Sequence, residues 1–169
     1  MTRNKVTQGN ALVKSQDPIV EFFAKYPNFA YDPHCETWSE YRRLVDFSGW
    51  KTFGKRERAA NKLLREAIVA QFGRLYGTSE NKLDTLQHLC DKLGINPVPQ
   101  SITACKKAIQ KTHVNIMDFI DSERTGKPVR VFKSVWQLRK HTLENQKVFP
   151  RKEAKESGLL KYLLRRIVD

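Results

Sequence analysis

Apolar residues in this chain return at intervals of three and four between a residue that can start a helix and one that stops it. That spacing lines them along one side of an α-helix, and a stripe of this kind must be buried against another element. Asp17 and Pro18 offer an N-cap followed by proline at the first helical position, with Ile19, Val20, Phe22 and Phe23 before Pro27. Thr37 with Glu40 reads as a capping box, behind which Trp38, Tyr41, Leu44, Val45 and Ser48 share a face until Gly49. From Lys55 to Tyr76, Ala60, Leu63, Leu64, Ala67, Ile68, Phe72 and Leu75 form the longest stripe, which Gly77 ends.

Leu83, Leu86, Leu89, Cys90 and Leu93 make a further stripe, closed by Gly94 and the proline-bearing linker INPVPQ. Ser101 can cap the next segment, where Ile102, Cys105, Ile109, Ile116 and Ile120 recur at mostly helical intervals. The β-branched Thr112 and Val114 interrupt it, which predicts one bent helix or two short ones. SERTGKP reads as a turn and VRVF as a short strand, after which Ser134 and Gln137 form a second capping box ahead of Val135, Leu138 and Leu143. Pro150 opens the last region, whose stripe is Leu159, Leu160, Leu163, Leu164 and Ile167, with Gly158 its weak point. These signals predict an all-α fold, a compact bundle of about seven or eight helices with at most one short strand. A flexible segment over 1–16 is expected ahead of a single helical domain over 17–169, with any junction between subregions at 95–100.

The cysteines Cys35, Cys90 and Cys105 are odd in number and widely spaced, a poor disulfide framework that points to a reducing compartment. The amino-terminal stretch MTRNKVTQGNALVKSQ lacks the apolar block of a secretory signal. Its single arginine and missing amphipathic stripe argue against a mitochondrial presequence, so an intracellular place in the nucleus or cytoplasm is expected. No apolar run approaches the roughly 18 residues a membrane-spanning helix needs, and no membrane partner is expected.

Charge is what the composition adds. The chain carries a formal net charge of +13, and the excess is uneven. Residues 1–50 hold 6 basic and 6 acidic side chains, whereas residues 101–169 hold 16 and 7. An anion is therefore drawn to the carboxy-terminal part.

Motifs for chemistry fare poorly. Gly49 to Arg56 reads GWKTFGKR, a glycine, four residues, glycine and lysine, but arginine stands where a phosphate-binding loop needs a metal-binding Ser or Thr. The segment before it is helical rather than a buried strand, so Gly49 reads better as a helix stop. His88, Cys90, Cys105 and His113 contain no close ligand pair, and His88 and Cys90 would point about 200° apart on one helix. No GxSxG elbow occurs, and Cys35 beside His34 is adjacent only in sequence. Asp118, Asp121 and Glu123 supply acids whose position near a helix end reads as solvated or structural. No catalytic residue, metal or cofactor is assigned.

The basic residues give the positive signal. Lys106, Lys107 and Lys111 lie near one helical edge away from Cys105 and Ile109. Arg139, Lys140, Lys147, Arg151, Lys152 and Lys155 surround the junction of the last two helical regions, and Arg165 and Arg166 extend the surface. Such a face would neutralise phosphates and position DNA or RNA without reading its sequence. The expected function is thus a non-enzymatic, nucleic-acid-associated protein. The alternative is an interaction adaptor offering an acidic protein partner a helical groove or an aromatic patch around Trp38, Trp50 or Trp136. The polar face of any amphipathic helix also carries lysines with no ligand, as Arg58, Lys62 and Arg65 illustrate.

Several blocks resemble a family of small, largely uncharacterised fungal proteins: Tyr31-Asp32-Pro33, Ser48-Gly49-Trp50, Tyr76-Gly77-Thr78, KTHVNIMDFID from Lys111 to Asp121, and the ending FPRKEAKESGLLKYLLRRI. The resemblance spans most of the chain. It implies a eukaryotic intracellular protein and carries no activity with it.

Overall fold

The computed structural model describes residues 17–165 and 167, the side chain of Glu156 excepted. The amino-terminal segment 1–16 and Arg166 lie outside those residues. The described chain is mostly helical: α1 Pro18–Ala24, α2 Thr37–Phe47, α3 Lys55–Tyr76, α4 Leu83–Lys92, α5 Ile102–Lys111, α6 Ile116–Thr125, α7 Val135–Glu144 and α8 Arg151–Glu156. A 3₁₀ turn at Leu160–Tyr162 follows α8. Two short strands, β1 His113–Val114 and β2 Val131–Phe132, pair antiparallel with His113 opposite Phe132. The expected strand thus finds its partner in the β-branched stretch between α5 and α6.

The long helix α3 is the axis on which the rest is assembled. Ala60, Leu64, Ile68, Phe72 and Tyr76 are all buried and stand four apart, a single row along one face. Helix α1 lies against that row with Ile19, Phe22 and Phe23 buried, and its cap is the expected one: Ile19 and Val20 donate their N–H groups to the Asp17 carboxylate at 2.9 and 3.1 Å. Phe119 of α6 packs on Phe72 and Tyr76, with ring centroids 6.4 and 5.3 Å apart. One cluster of buried side chains runs from Ile19 to Leu163, with residues before and after the 95–100 linker in it.

Two local expectations fail for tertiary reasons. Helix α2 has no capping box: its N-cap is Glu36, which makes no side-chain cap bond. Thr37 instead gives its N–H to Asp121 Oδ2 at 2.9 Å and its hydroxyl to Oδ1 at 2.6 Å, so a carboxylate from α6 caps α2. Glu40 is buried and receives the Asp32 N–H at 2.8 Å. The last stripe is not one helix either. It breaks after Glu156 where Gly158 comes so close to α3's exit loop that a Cβ would sit 2.6 Å from the Thr78 carbonyl oxygen.

Gly158→Ala should accordingly force the carboxy-terminal turn off its seat. We expect a stability loss of about 1–3 kcal/mol, the usual cost of overpacking, read as a lower urea midpoint with an unchanged slope.

Candidate functional site

Helix α6 carries a buried polar stripe on an otherwise apolar helix. Asn115, Asp118 and Asp121 stand three residues apart, which places them on one side. Asn115 Oδ1 accepts the N–H groups of Met117 and Asp118, capping α6, while its amide donates to Thr142 Oγ1 and the Lys147 carbonyl, each at 3.0 Å. Asp118 receives the Lys147 ammonium on Oδ1 at 2.6 Å and His141 Nε2 on Oδ2 at 2.6 Å. Lys147 also reaches Glu36 at 2.8 Å. Burial pushes the Lys147 ammonium down, but the bonds to Asp118 and Glu36 outweigh it and hold it above its ordinary value. Asp121 is ion-paired to Arg124 at 3.0 Å, and burial raises its carboxyl against the pull of Thr37 and Arg124.

This stripe fixes helix α7, of which only Leu138 and Thr142 are buried. On the far side of His141 a groove of about 490 Å³ opens, lined by Arg130, Phe132, Trp136, Lys140, His141 and Glu144 among others. His141 Nδ1 faces it, 3.5 Å from Arg130 and 3.3 Å from the Asn145 amide nitrogen. The Arg130 guanidinium lies over the Phe132 ring at 4.8 Å, and Lys140 Nζ stands 5.8 Å from the Trp136 ring centre. Trp136 is 68% exposed.

The surroundings of the groove are one-sided in charge. From Arg124 to Leu143 the sequence contains no Asp or Glu, and Lys127, Arg130, Lys133, Arg139 and Lys140 are all exposed. Glu144 closes the run and sits 3.9 Å from Lys140. Exposed apolar side chains collect in the same part of the chain: Val131, Val135, Trp136, Leu143 and Val148.

Of the cations expected to form the face, Arg139 and Lys140 are on α7. Lys107 and Lys111 are exposed on α5, and Arg151, Lys152 and Lys155 on α8. Lys106 turns toward the Leu160–Tyr162 turn, 3.2 Å from Asn81 Oδ1 and 5.5 Å from the Tyr162 ring. Two residues are not outward cations. Lys147 is buried because two carboxylates draw it in. Arg165 spans back to the end of α5, donating to the Ile109 and Thr112 carbonyls at 3.0 and 2.5 Å, alongside the Thr112 N–H that also reaches the Ile109 carbonyl. Arg166 lies outside the described residues. Lys127, Arg130 and Lys133 are further exposed cations that the density of lysine and arginine does not single out; the acid-free interval between Glu123 and Glu144 is the signal that marks them.

The other constellations resolve into structural roles. Gly49 stops α2 with φ +62° and Gly54 starts α3, so GWKTFGKR is a helix-to-helix loop. Cys90 and Cys105 are buried, with Cys105 donating to the Pro99 carbonyl at 3.2 Å, and His88 packs beside Tyr76. His113 lies 3.3 Å from Arg165. Among the aromatic candidates for a partner, Trp38 stacks on Tyr41 and Trp50 packs edge-on against Tyr26, leaving Trp136 the most exposed of the three.

Lys147→Met would leave Asp118 without its cation. We expect a loss of about 3 kcal/mol in urea unfolding, the low end for a broken buried pair because Glu36 keeps access to water. His113 gives a pH signature. Burial, helped by Arg165, holds it below its ordinary 6.5, so the unfolded chain takes up a proton that the folded one resists. Its contribution to stability is complete above that value and is lost as pH falls through the depressed one. Between about pH 7.5 and about pH 5.5 the urea midpoint should fall more steeply in the wild type than in His113→Gln.

Set against protein-family models, curated proteins and solved structures, the chain matches none.

Proposed function

We propose that the protein binds nucleic acid without acting on it chemically, holding the phosphate backbone on the cationic surface of β2 and α7 and on neighbouring lysines of the carboxy-terminal half. The observation that carries this reading is the coincidence of an acid-free run of exposed cations with a groove that opens between them. Surface charge alone is weak support, since solvated lysines are ordinary. Here Arg130 and Lys140 line the groove itself, and Lys127, Lys133 and Arg139 lie close to them in a stretch with no acid inside it, so the positive field outweighs that of Glu144 at its end. Arg130 is also positioned in advance, stacked on Phe132, and so gives up less freedom when it meets a phosphate. Contacts of this kind hold a backbone without reading bases, so low sequence preference and strong salt dependence belong to the reading.

A second reading has its own support. Val131, Val135, Leu143 and Val148 are exposed beside the same cations, a mixture that also fits an acidic protein segment with apolar anchors. A stoichiometric acidic partner that co-purifies with the chain, together with no affinity for nucleic acid, would decide for it.

In anisotropy titrations with labelled duplex and single-stranded oligonucleotides of mixed sequence, we expect affinity to fall by orders of magnitude from about 50 to about 200 mM salt. Replacing Arg130, Lys133 and Lys140 together with glutamine should weaken binding and flatten the log–log salt slope by about 2–3, since each phosphate no longer neutralised removes about 0.7–0.9. No binding to either oligonucleotide at low salt refutes the proposal.

A further inference from the structure

We infer that the α7 groove is a single-strand site: it takes an unpaired base on Trp136 and the adjoining phosphate at its Arg130 end, and so prefers single-stranded nucleic acid to duplex. The inference rests on the nucleic-acid reading above and goes beyond it by naming the ligand's state. Phosphate attraction serves single and double strands alike. A ring that waits in solvent does not, because duplex bases already stack on their neighbours and present only their edges in the grooves.

Trp136 is the largest of the exposed apolar side chains around this groove, and nothing in the local sequence needs it there for packing. Helix α7 buries Leu138 and Thr142, and Trp136 lies on the row with Lys140 and Glu144 that faces the groove. An indole left two-thirds exposed loses apolar stabilisation with no return inside the fold. It gains that stabilisation if a base covers it. Lys140 Nζ lies over one face of the ring, 5.8 Å from its centre, and brings a cation close to the phosphate beside a base stacked on the exposed indole.

The groove is also polarised. Its Arg130 end holds a guanidinium braced by Phe132 and His141, with Lys133 and Lys127 nearby in sequence; the carboxylates behind it, Asp118 among them, are engaged by Lys147, His141 and Arg124. Its other end holds Glu144 and Asn145. A phosphate is drawn to the Arg130 end and repelled from Glu144, which places the phosphate beside the stacked base at Arg130. The size of about 490 Å³ is in the range of pockets that hold a small ligand, roomy enough for a nucleotide. His141 forms the floor, held by Asp118 behind it, so the indole and Lys140 are presented by a helix anchored to the core, while Arg130 comes from the segment just before β2.

The experiment compares anisotropy titrations of single strands of about 15 nucleotides, one DNA and one RNA, with a duplex of the same length, using the full chain and its variants. We expect tighter binding of single strands. Trp136→Ala should weaken single-strand binding about 5- to 150-fold, the loss of one stacked base, with duplex binding changed less than about twofold. Trp136→Phe should restore most of the loss, and Glu144→Gln should tighten both single strands. Trp136 is exposed, and matching urea midpoints for wild type and variant confirm that the fold is retained. Equal affinity for duplex and single strand, or a Trp136→Ala variant that binds single strands as the wild type does, overturns this inference while leaving salt-dependent backbone binding intact. Failure to bind any of the oligonucleotides overturns both.

Discussion

A half-buried carboxylate held between the Lys147 ammonium and the His141 imidazole ties the carboxy-terminal half of this protein together. Asp118 accepts from Lys147 on one oxygen and from His141 on the other, both at 2.6 Å. A charge placed there alone would cost several kcal/mol in lost hydration. The neighbours on the same side of α6 reduce that cost by leaving few polar atoms unmet. Asn115 uses its oxygen for the helix start and its amide for α7 and the Lys147 carbonyl, and Asp121 is satisfied by Thr37 and Arg124. Apart from Arg124, which lies on α6 itself, these partners come from three other segments: the start of α2, the end of α7 and the loop after it. Polar spacing on one helix thereby fixes three pieces of chain that apolar packing alone would leave free to slide.

Most of the fold is legible in the sequence because its helices are written locally. Caps at Asp17, Ser101 and Ser134 all form with their own backbones, and the glycine stops at 49, 77 and 94 take positive φ. Prediction fails where a partner far along the chain outcompetes a near one. Thr37 and Glu40 satisfy the capping-box pattern, yet a carboxylate 84 residues away takes the Thr37 hydroxyl and N–H. The last apolar stripe has sound helical spacing, and only the approach of Gly158 to Thr78 explains its break. The first leaves no trace in local spacing; the second leaves Gly158, which the sequence marks as the weak point without showing what approaches it.

The candidate site is legible only in part, for an electrostatic reason. Sequence can count cations but cannot show which of them meet acids. Lys147 looks as exposed as Lys152 when read as a string, and only the fold brings Glu36 and Asp118 to it. Arg165 likewise completes the end of α5 instead of facing solvent. The signal that survives is the reverse one, an interval without acids. Between Glu123 and Glu144 no carboxylate is near enough in sequence to claim Lys127, Arg130 or Lys133, so these stay outward. Density of lysine and arginine points to the carboxy-terminal half of the molecule, and absence of acid points to the helix.

The same interval explains why so weakly buried a helix needs so strong an anchor. Five like charges on one short surface repel, and that repulsion acts against the folded state wherever the unfolded chain can spread them apart. Helix α7 contributes little burial of its own to resist it, with Leu138 and Thr142 inside and Val135, Trp136 and Leu143 out. The Asp118–His141 and Asn115–Thr142 contacts supply the resistance from behind. The polyanion proposed as ligand would remove the repulsion from in front and cover the exposed ring. If it binds the folded form more tightly than the unfolded one, its binding energy adds to the stability of α7 by mass action. The tension between a helix that repels itself and a core that holds it in place is what leaves binding energy for a ligand of opposite charge.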